Sequence, residues 1–284
     1  MSKKVKSEWD WEIKPQTSWL GSSLKELIAY KDLLFGLVRK DFLGSYQQTL
    51  LGPFWILLQP LLSVLVYMLV FVKIIGLKTN GVPSFLFFLS GISLWNLFSD
   101  MFFSTSNVVV ANAGVFSKVY FPRLIAPLAA VILNLVRFLI NALLLFAVLA
   151  YFAFRGDVQV HLAGLLQFII PVLIVTGIAL GCGLIFSIIT VKYRDLNGFV
   201  QILMRLFMFV CPVFYSMTLV PEKYKWMVDI NPLSAQFELF RYSLYGIGLF
   251  SAAWVLYGLA FMVVILMAGV LLFNKMAERV VELA

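Results

Sequence analysis

An all-α integral membrane protein with six transmembrane helices is the fold this sequence predicts, on three observations. Of its 284 residues 62% are hydrophobic and only 13% charged, at a mean hydropathy of +0.96, so there is too little polar surface to coat a water-soluble globule. The apolar residues are gathered into blocks of about 20 or more, long enough to cross a ~30 Å hydrocarbon core as helices. A β-barrel would instead need short alternating strands between turns. Finally, the segments between the blocks carry Lys and Arg unequally, as expected of loops on two sides of a membrane.

Residues 1–52 read as a cytoplasmic tail followed by an amphipathic helix. Trp9, Trp11 and Trp19 stand among Lys and Glu, which suits a tail at the membrane surface and equally a disordered one. Ser23 and Glu26 have the spacing of a capping box, so a helix is expected to start there. Beyond it Leu27, Ile28, Leu34, Phe35, Val38 and Phe42 recur near helical spacing, opposite Lys31, Asp32, Arg39 and Asp41. That pattern predicts a helix lying in the membrane interface. At Gly52-Pro53 the polar residues stop, and 53–284 reads as one membrane domain with spans at 54–75, 85–103 or beyond, 124–154, 162–190, 199–217 and 250–273.

Six spans put both termini on one side. That side holds fourteen Lys and Arg, eight of them before residue 53, against six on the other, with Arg137 and Arg205 inside spans. By the positive-inside bias both termini are cytoplasmic, and topology accounts for the net charge of +8 without nucleic acid. No secretory signal is visible ahead of the first block, so the N-terminus is expected in the mature protein. Cys182 and Cys211 lie inside apolar blocks as small hydrophobes and say nothing about redox compartment.

Two connections are more than turns. The cytoplasmic link 107–123 is too polar in its middle to span, and Pro122 would stop a short helix before the third span. On the outer side 219–248 mixes Glu222, Lys223, Lys225, Asp229, Glu238 and Arg241 with aromatics, as short re-entrant or interfacial helices would.

An enzyme is not indicated. His161 is the only histidine, which leaves a Ser-His-Asp triad or a His-based metal site without parts, and no metal or other cofactor is expected on this chain. No Gly is followed by Lys, which excludes the GxxxxGK[ST] phosphate loop, so nucleotide energy would have to come from another chain.

Charges within spans are costly unless paired or hydrated. Asp100 and Arg137 are expected at comparable depth and form a candidate structural ion pair. In the first span Trp55, Gln59, Ser63, Tyr67 and Phe71 fall four apart and gather its polar groups on one stripe, either lining a translocation pathway or placed by packing and an interfacial Trp. Arg205, with Gln201 one turn away, is the candidate opposite wall, since guanidinium pairs with phosphate oxygens. Gly177 with Gly181, and Ala179 with Gly183, make two small-residue ridges for close helix packing.

With these residues in view the chain resembles the permease subunits of ABC exporters for bacterial polysaccharides, which handle O-antigen, capsule and teichoic acid. The likeness rests on RKDFLGSYQQTLLGPFWILLQPL at 39–61, KVYFPR at 118–123, KYRDL at 192–196 and INPL at 230–233, in that order along nearly the whole chain. It implies a homodimer, a separate ATPase subunit carrying ATP and Mg, a lipid-linked glycan substrate and a place in the cytoplasmic membrane. It also implies a coupling helix in the link before the third span, where Asn112, Phe116, Ser117, Lys118 and Tyr120 would meet the ATPase. The Trp-bearing N-terminal extension is most similar to O-antigen permeases. Capsule, teichoic acid, drug and lipid exporters rank behind; a passive channel and a membrane glycosyl- or acyltransferase are the rivals of other classes.

Overall fold

The computed structural model describes residues 24–116, 121–160, 164–193, 195–248 and 251–281, with side chains from 27 to 114 and again from 121 to 276 within those segments. The capping box and the N-terminal Trp residues lie outside them, as does His161. Twelve α-helices are placed among the described residues: α1 (Leu24–Ala29), α2 (Lys31–Tyr46), α3 (Trp55–Tyr67), α4 (Ser84–Ser106), α5 (Val108–Ala111), α6 (Ala113–Phe116), α7 (Ile125–Phe154), α8 (Ile169–Lys192), α9 (Leu196–Val210), α10 (Glu222–Asp229), α11 (Pro232–Tyr245) and α12 (Ala252–Val281).

Five stretches are long and apolar enough to cross a membrane: Gly52–Ile74, Ser84–Ser106, Ile125–Phe154, Ile169–Lys192 and Ala252–Met276. The chain is a multi-pass membrane protein. The first stretch is not uniform, because after α3 the ladder widens into a π-helix over Met68–Ile74, with Ile75 N–H reaching Val70 O. The fifth expected span is not a full-length helix. The apolar block at 199–217 folds as α9, only 15 residues or ~22 Å of rise, and the helix stops before Pro212, whose ring cannot continue it.

Helix α8 is the axis of the bundle, and its glycines explain why. Both small-residue ridges are used: Gly181 faces the backbone of α12 and Gly183 the Thr105 side chain of α4. A methyl group at Gly181 would stand 2.8 Å from the Ile265 carbonyl and the Leu266 amide, while Gly269 of α12 approaches Gly181 O in return. Gly181→Leu is therefore expected to overpack the interface by at least ~1–3 kcal/mol. Thermal unfolding of the purified chain in detergent should show a lower midpoint, while Gly36→Ala, with open space around it, should leave it unchanged.

The two ends of the bundle differ. One carries α1, α2, α5 and α6; the other carries α10 and α11. Helix α2 does not stand apart as a surface float. Leu37 packs with Phe121, Ile125 and Ala129. Ser45, two turns on, receives a hydrogen bond from Arg137, so α2 follows the first half of α7. Its apolar residues divide: Leu37 is buried, whereas Phe35 and Leu43 stay 60% and 43% exposed, the side available to lipid.

Candidate functional site

Helix α4 is buried along most of its length and separates two polar recesses inside the apolar bundle. The first is a cavity of about 380 Å³ between α2, α3, α4 and α7, lined by Ser45, Tyr46, Trp55, Gln59, Asn96, Asp100, Phe103, Arg137 and Asn141 among others. The expected partners Asp100 and Arg137 share it, but not as an ion pair, since among the described residues those within 4 Å are Arg155–Asp157, Lys225–Glu222 and Arg241–Glu238. Instead Arg137 Nη2 donates to Ser45 Oγ at 2.9 Å and the guanidinium stands 5.8 Å from the centre of the Tyr46 ring.

The stripe of the first span divides at its middle. Trp55 and Gln59 face this cavity. Ser63 Oγ donates back to Gln59 O at 3.0 Å. Tyr67 and Phe71 pack on Phe214, with ring centroids 4.6 and 4.8 Å apart. Phe214 lies in the turn after α9, and the sequence reading missed it.

The second recess, of about 330 Å³, brings Gln201, Met204, Arg205 and Met208 of α9 against Trp95, Ser99, Phe103 and Asn107. Gln201 and Arg205 thus fall together as expected, and Phe103 lines both recesses. Helix α9 is lightly packed: only Val200 and Met204 are buried, and Phe199, Ile202, Leu206 and Phe209 are exposed apolar residues.

The polar group that sequence reasoning misplaced is at the other end. Arg241 was counted among outer loop charges, yet it is 2% exposed and holds the broken end of α9. Past Cys211 the backbone turns at 211–213 and loses its helical partners. Arg241 Nη2 donates to Val213 O at 2.7 Å and Nη1 to Tyr215 O at 3.1 Å, with the guanidinium 3.8 Å from the Phe87 ring centre. Glu238, one turn earlier on α11, accepts from Met217 N–H at 2.8 Å and from Ser216 Oγ at 3.1 Å. Gly91 of α4 leaves room for this, because a Cβ there would meet Val213 O and stand 2.9 Å from Arg241 Nη2. Asn231 starts α11 by accepting from Leu233 N–H, with Pro232 at the first helical position.

The link expected to form one helix over 112–120 begins as two single turns. Asn112 ends α5, its Nδ2 donating to Val108 O, and α6 runs from Ala113 to Phe116. Ser117, Lys118 and Tyr120 lie outside the described residues, and so does the Phe116 side chain. Between this link and the end of α2 is an open groove lined by Lys40, Asp41, Leu43, Gly44, Gln47, Ala111 and Asn112.

Comparison with known proteins gives the family. Residues 32–245 match the ABC-2 type transporter family. Two curated relatives from Klebsiella pneumoniae, each named O-antigen export system permease protein RfbA, are 28% identical over 257 residues and 26% over 255, covering 89% of this chain and 95% of the relative. A relative of the same name from Myxococcus xanthus is 28% identical over 262 residues, 91% of this chain and 98% of its own length. With the family match running from α2 through α11, the chain belongs to the ABC-2 type transporters.

Proposed function

We propose that this chain is the permease subunit of an ATP-driven exporter that carries lipid-linked O-antigen polysaccharide from the cytoplasmic to the outer side of the inner membrane. The observation that carries this reading is the similarity to three O-antigen export permeases, over 89–91% of this chain and 95–98% of theirs. Two copies enclose the pathway, and the lightly packed α9 with its exposed apolar residues is the surface each presents to the other. Gln201 and Arg205 line one wall, and Ser63, Tyr67 and Phe71 line another. Aromatic faces suit sugar C–H groups, while hydroxyl and amide groups replace lost water contacts. Trp55 and Gln59 stand at the cytoplasmic mouth. Both termini are cytoplasmic, and the short helices α10 and α11 cap the outer end. Taking Arg241 out of the exposed outer charges strengthens that orientation.

Energy comes from a separate ATPase subunit, as the absence of a phosphate loop requires. It docks on 107–123 beside the end of α2, where Phe116 and Tyr120 serve as anchors and Lys118 as a rim charge, because buried aromatics carry most of such interfaces. Phe116→Ala should abolish copurification of the ATPase and export of glycan while leaving the permease in the membrane at its normal level. Undiminished copurification would remove this segment from the interface.

A further inference from the structure

The cavity shared by Asp100 and Arg137 has a charge pattern that a glycan pathway leaves unexplained. One carboxylate and one guanidinium are its only charged lining groups, and they are held beyond 4 Å from each other. Asp100 is exposed and Arg137 half-buried, so both charges stay open to a third group instead of closing on each other. Two polar atoms on the α7 wall, Arg137 Nε and Asn141 Oδ1, are shut off from solvent without a hydrogen-bond partner.

Depth says what that group is. Arg137 lies ~26 Å of helix rise from the Phe154 end of α7, and Asp100 lies ~24 Å from the Ser84 end of α4. With those ends at one edge of a ~30 Å hydrocarbon core, both charges fall within several ångströms of the opposite edge. Tyr46 and Trp55, side chains that prefer the membrane interface, line the same cavity. Farther along α3, Leu62, Leu65, Val66 and Leu69 form an exposed apolar surface.

We infer that this cavity holds the headgroup of a zwitterionic phospholipid, its phosphate on Arg137, its ammonium on Asp100 and its acyl chains along the exposed face of α3. A purely anionic headgroup leaves Asp100 facing negative charge, and the pyrophosphate of a lipid carrier makes that repulsion worse. Asn96, Gln59 and Asn141 supply neutral donors and acceptors around the ester oxygens. The site is distinct from the recess of Gln201 and Arg205, and the inference goes beyond the export function without depending on which glycan is carried.

The test uses the full chain purified in mild detergent, offered equal amounts of dioleoyl phosphatidylethanolamine and dioleoyl phosphatidylglycerol, and separately a polyprenyl pyrophosphate. Native mass spectrometry then counts the lipid retained. Phosphatidylethanolamine should be retained about tenfold more strongly than phosphatidylglycerol, as one charge-assisted contact provides. Asp100→Asn should erase that preference, and Arg137→Gln should weaken retention of both phospholipids. The wild-type ratio is read without any substitution, so a variant that fails to fold does not affect that arm. Equal retention of the two phospholipids, or stronger retention of phosphatidylglycerol, overturns the zwitterion. Retention of the polyprenyl pyrophosphate that Arg137→Gln abolishes and Arg205→Ala leaves intact overturns it in favour of the lipid carrier. A phosphatidylethanolamine preference that persists in Asp100→Asn overturns the location.

Discussion

Arg241→Ala is expected to destabilise the chain by ~3–5 kcal/mol, the cost of breaking a buried charged group's contacts, and to leave little folded protein in the membrane. The guanidinium is buried against Phe87 and supplies the donors that the carbonyls of Val213 and Tyr215 lost when α9 ended. Without it those carbonyls face an apolar interior, at ~1–3 kcal/mol for each unsatisfied group. Glu238→Ala acts next to it, where the carboxylate accepts from the Met217 N–H and the Ser216 hydroxyl. The two charges are 3.8 Å apart, farther than either is from its backbone partner. Energy therefore resides in capping the chain break more than in their mutual attraction. Replacing both with neutral residues should not rescue either single variant, and a double-mutant cycle by denaturant or heat should give a small coupling. Recovery of wild-type stability in the double variant would assign the stabilisation to the ion pair instead.

An all-or-none outcome is expected from cysteine labelling. On a background with Cys182 and Cys211 replaced by Ala, single cysteines at Lys78 and Lys225 should react with a membrane-impermeant reagent added outside the cell, and one at Lys192 should not. The physical reason is the length of the path between Lys192 and Lys225. Helix α9 contributes ~22 Å and the following non-helical residues 211–216, at up to ~3.3 Å each, more than cover the rest of a ~30 Å core. Non-helical backbone at that depth is tolerable only when shielded, and Arg241, Glu238 and Gly91 provide the shielding. Outside labelling of Lys192 would mean that this segment returns to the side it left.

This segment marks the boundary of what was legible in the sequence. Long apolar blocks gave the five full-length stretches with ends displaced by up to three residues, except the fourth, which starts at Ile169 and not at 162, because hydropathy and helix length measure the same quantity. Gly177, Gly181 and Gly183 were readable as close-packing positions, since only the absent side chain is needed. Pro212 was a visible stop signal inside the fifth block, but the mean hydropathy of 199–217 hid it. Arg241 could not be placed, because its partners are backbone carbonyls, which leave no trace in residue identity. Leu37 shows the same limit in α2: the helical period gave an apolar face, and contact with Phe121, Ile125 and Ala129 decided which residue was buried. At the candidate site, spacing grouped Gln201 with Arg205 correctly. It also put Asp100 and Arg137 at one depth, though not at ion-pair distance. The stripe from Trp55 to Phe71 kept its spacing but not its common surroundings, because its far half packs on Phe214 and is left half-buried.

The most direct test of the export reading is translocation in proteoliposomes that contain this chain and its copurified ATPase, loaded with lipid-linked O-antigen in the leaflet facing the nucleotide. Arrival of glycan on the far side is read with a lectin that cannot cross the bilayer. The account predicts arrival only when ATP, Mg and both subunits are present. It also predicts that Arg205→Ala slows arrival more than it lowers the ATPase activity of the complex. Arrival at the same rate without ATP or without the ATPase, or none in the complete system while another lipid is moved, would contradict it.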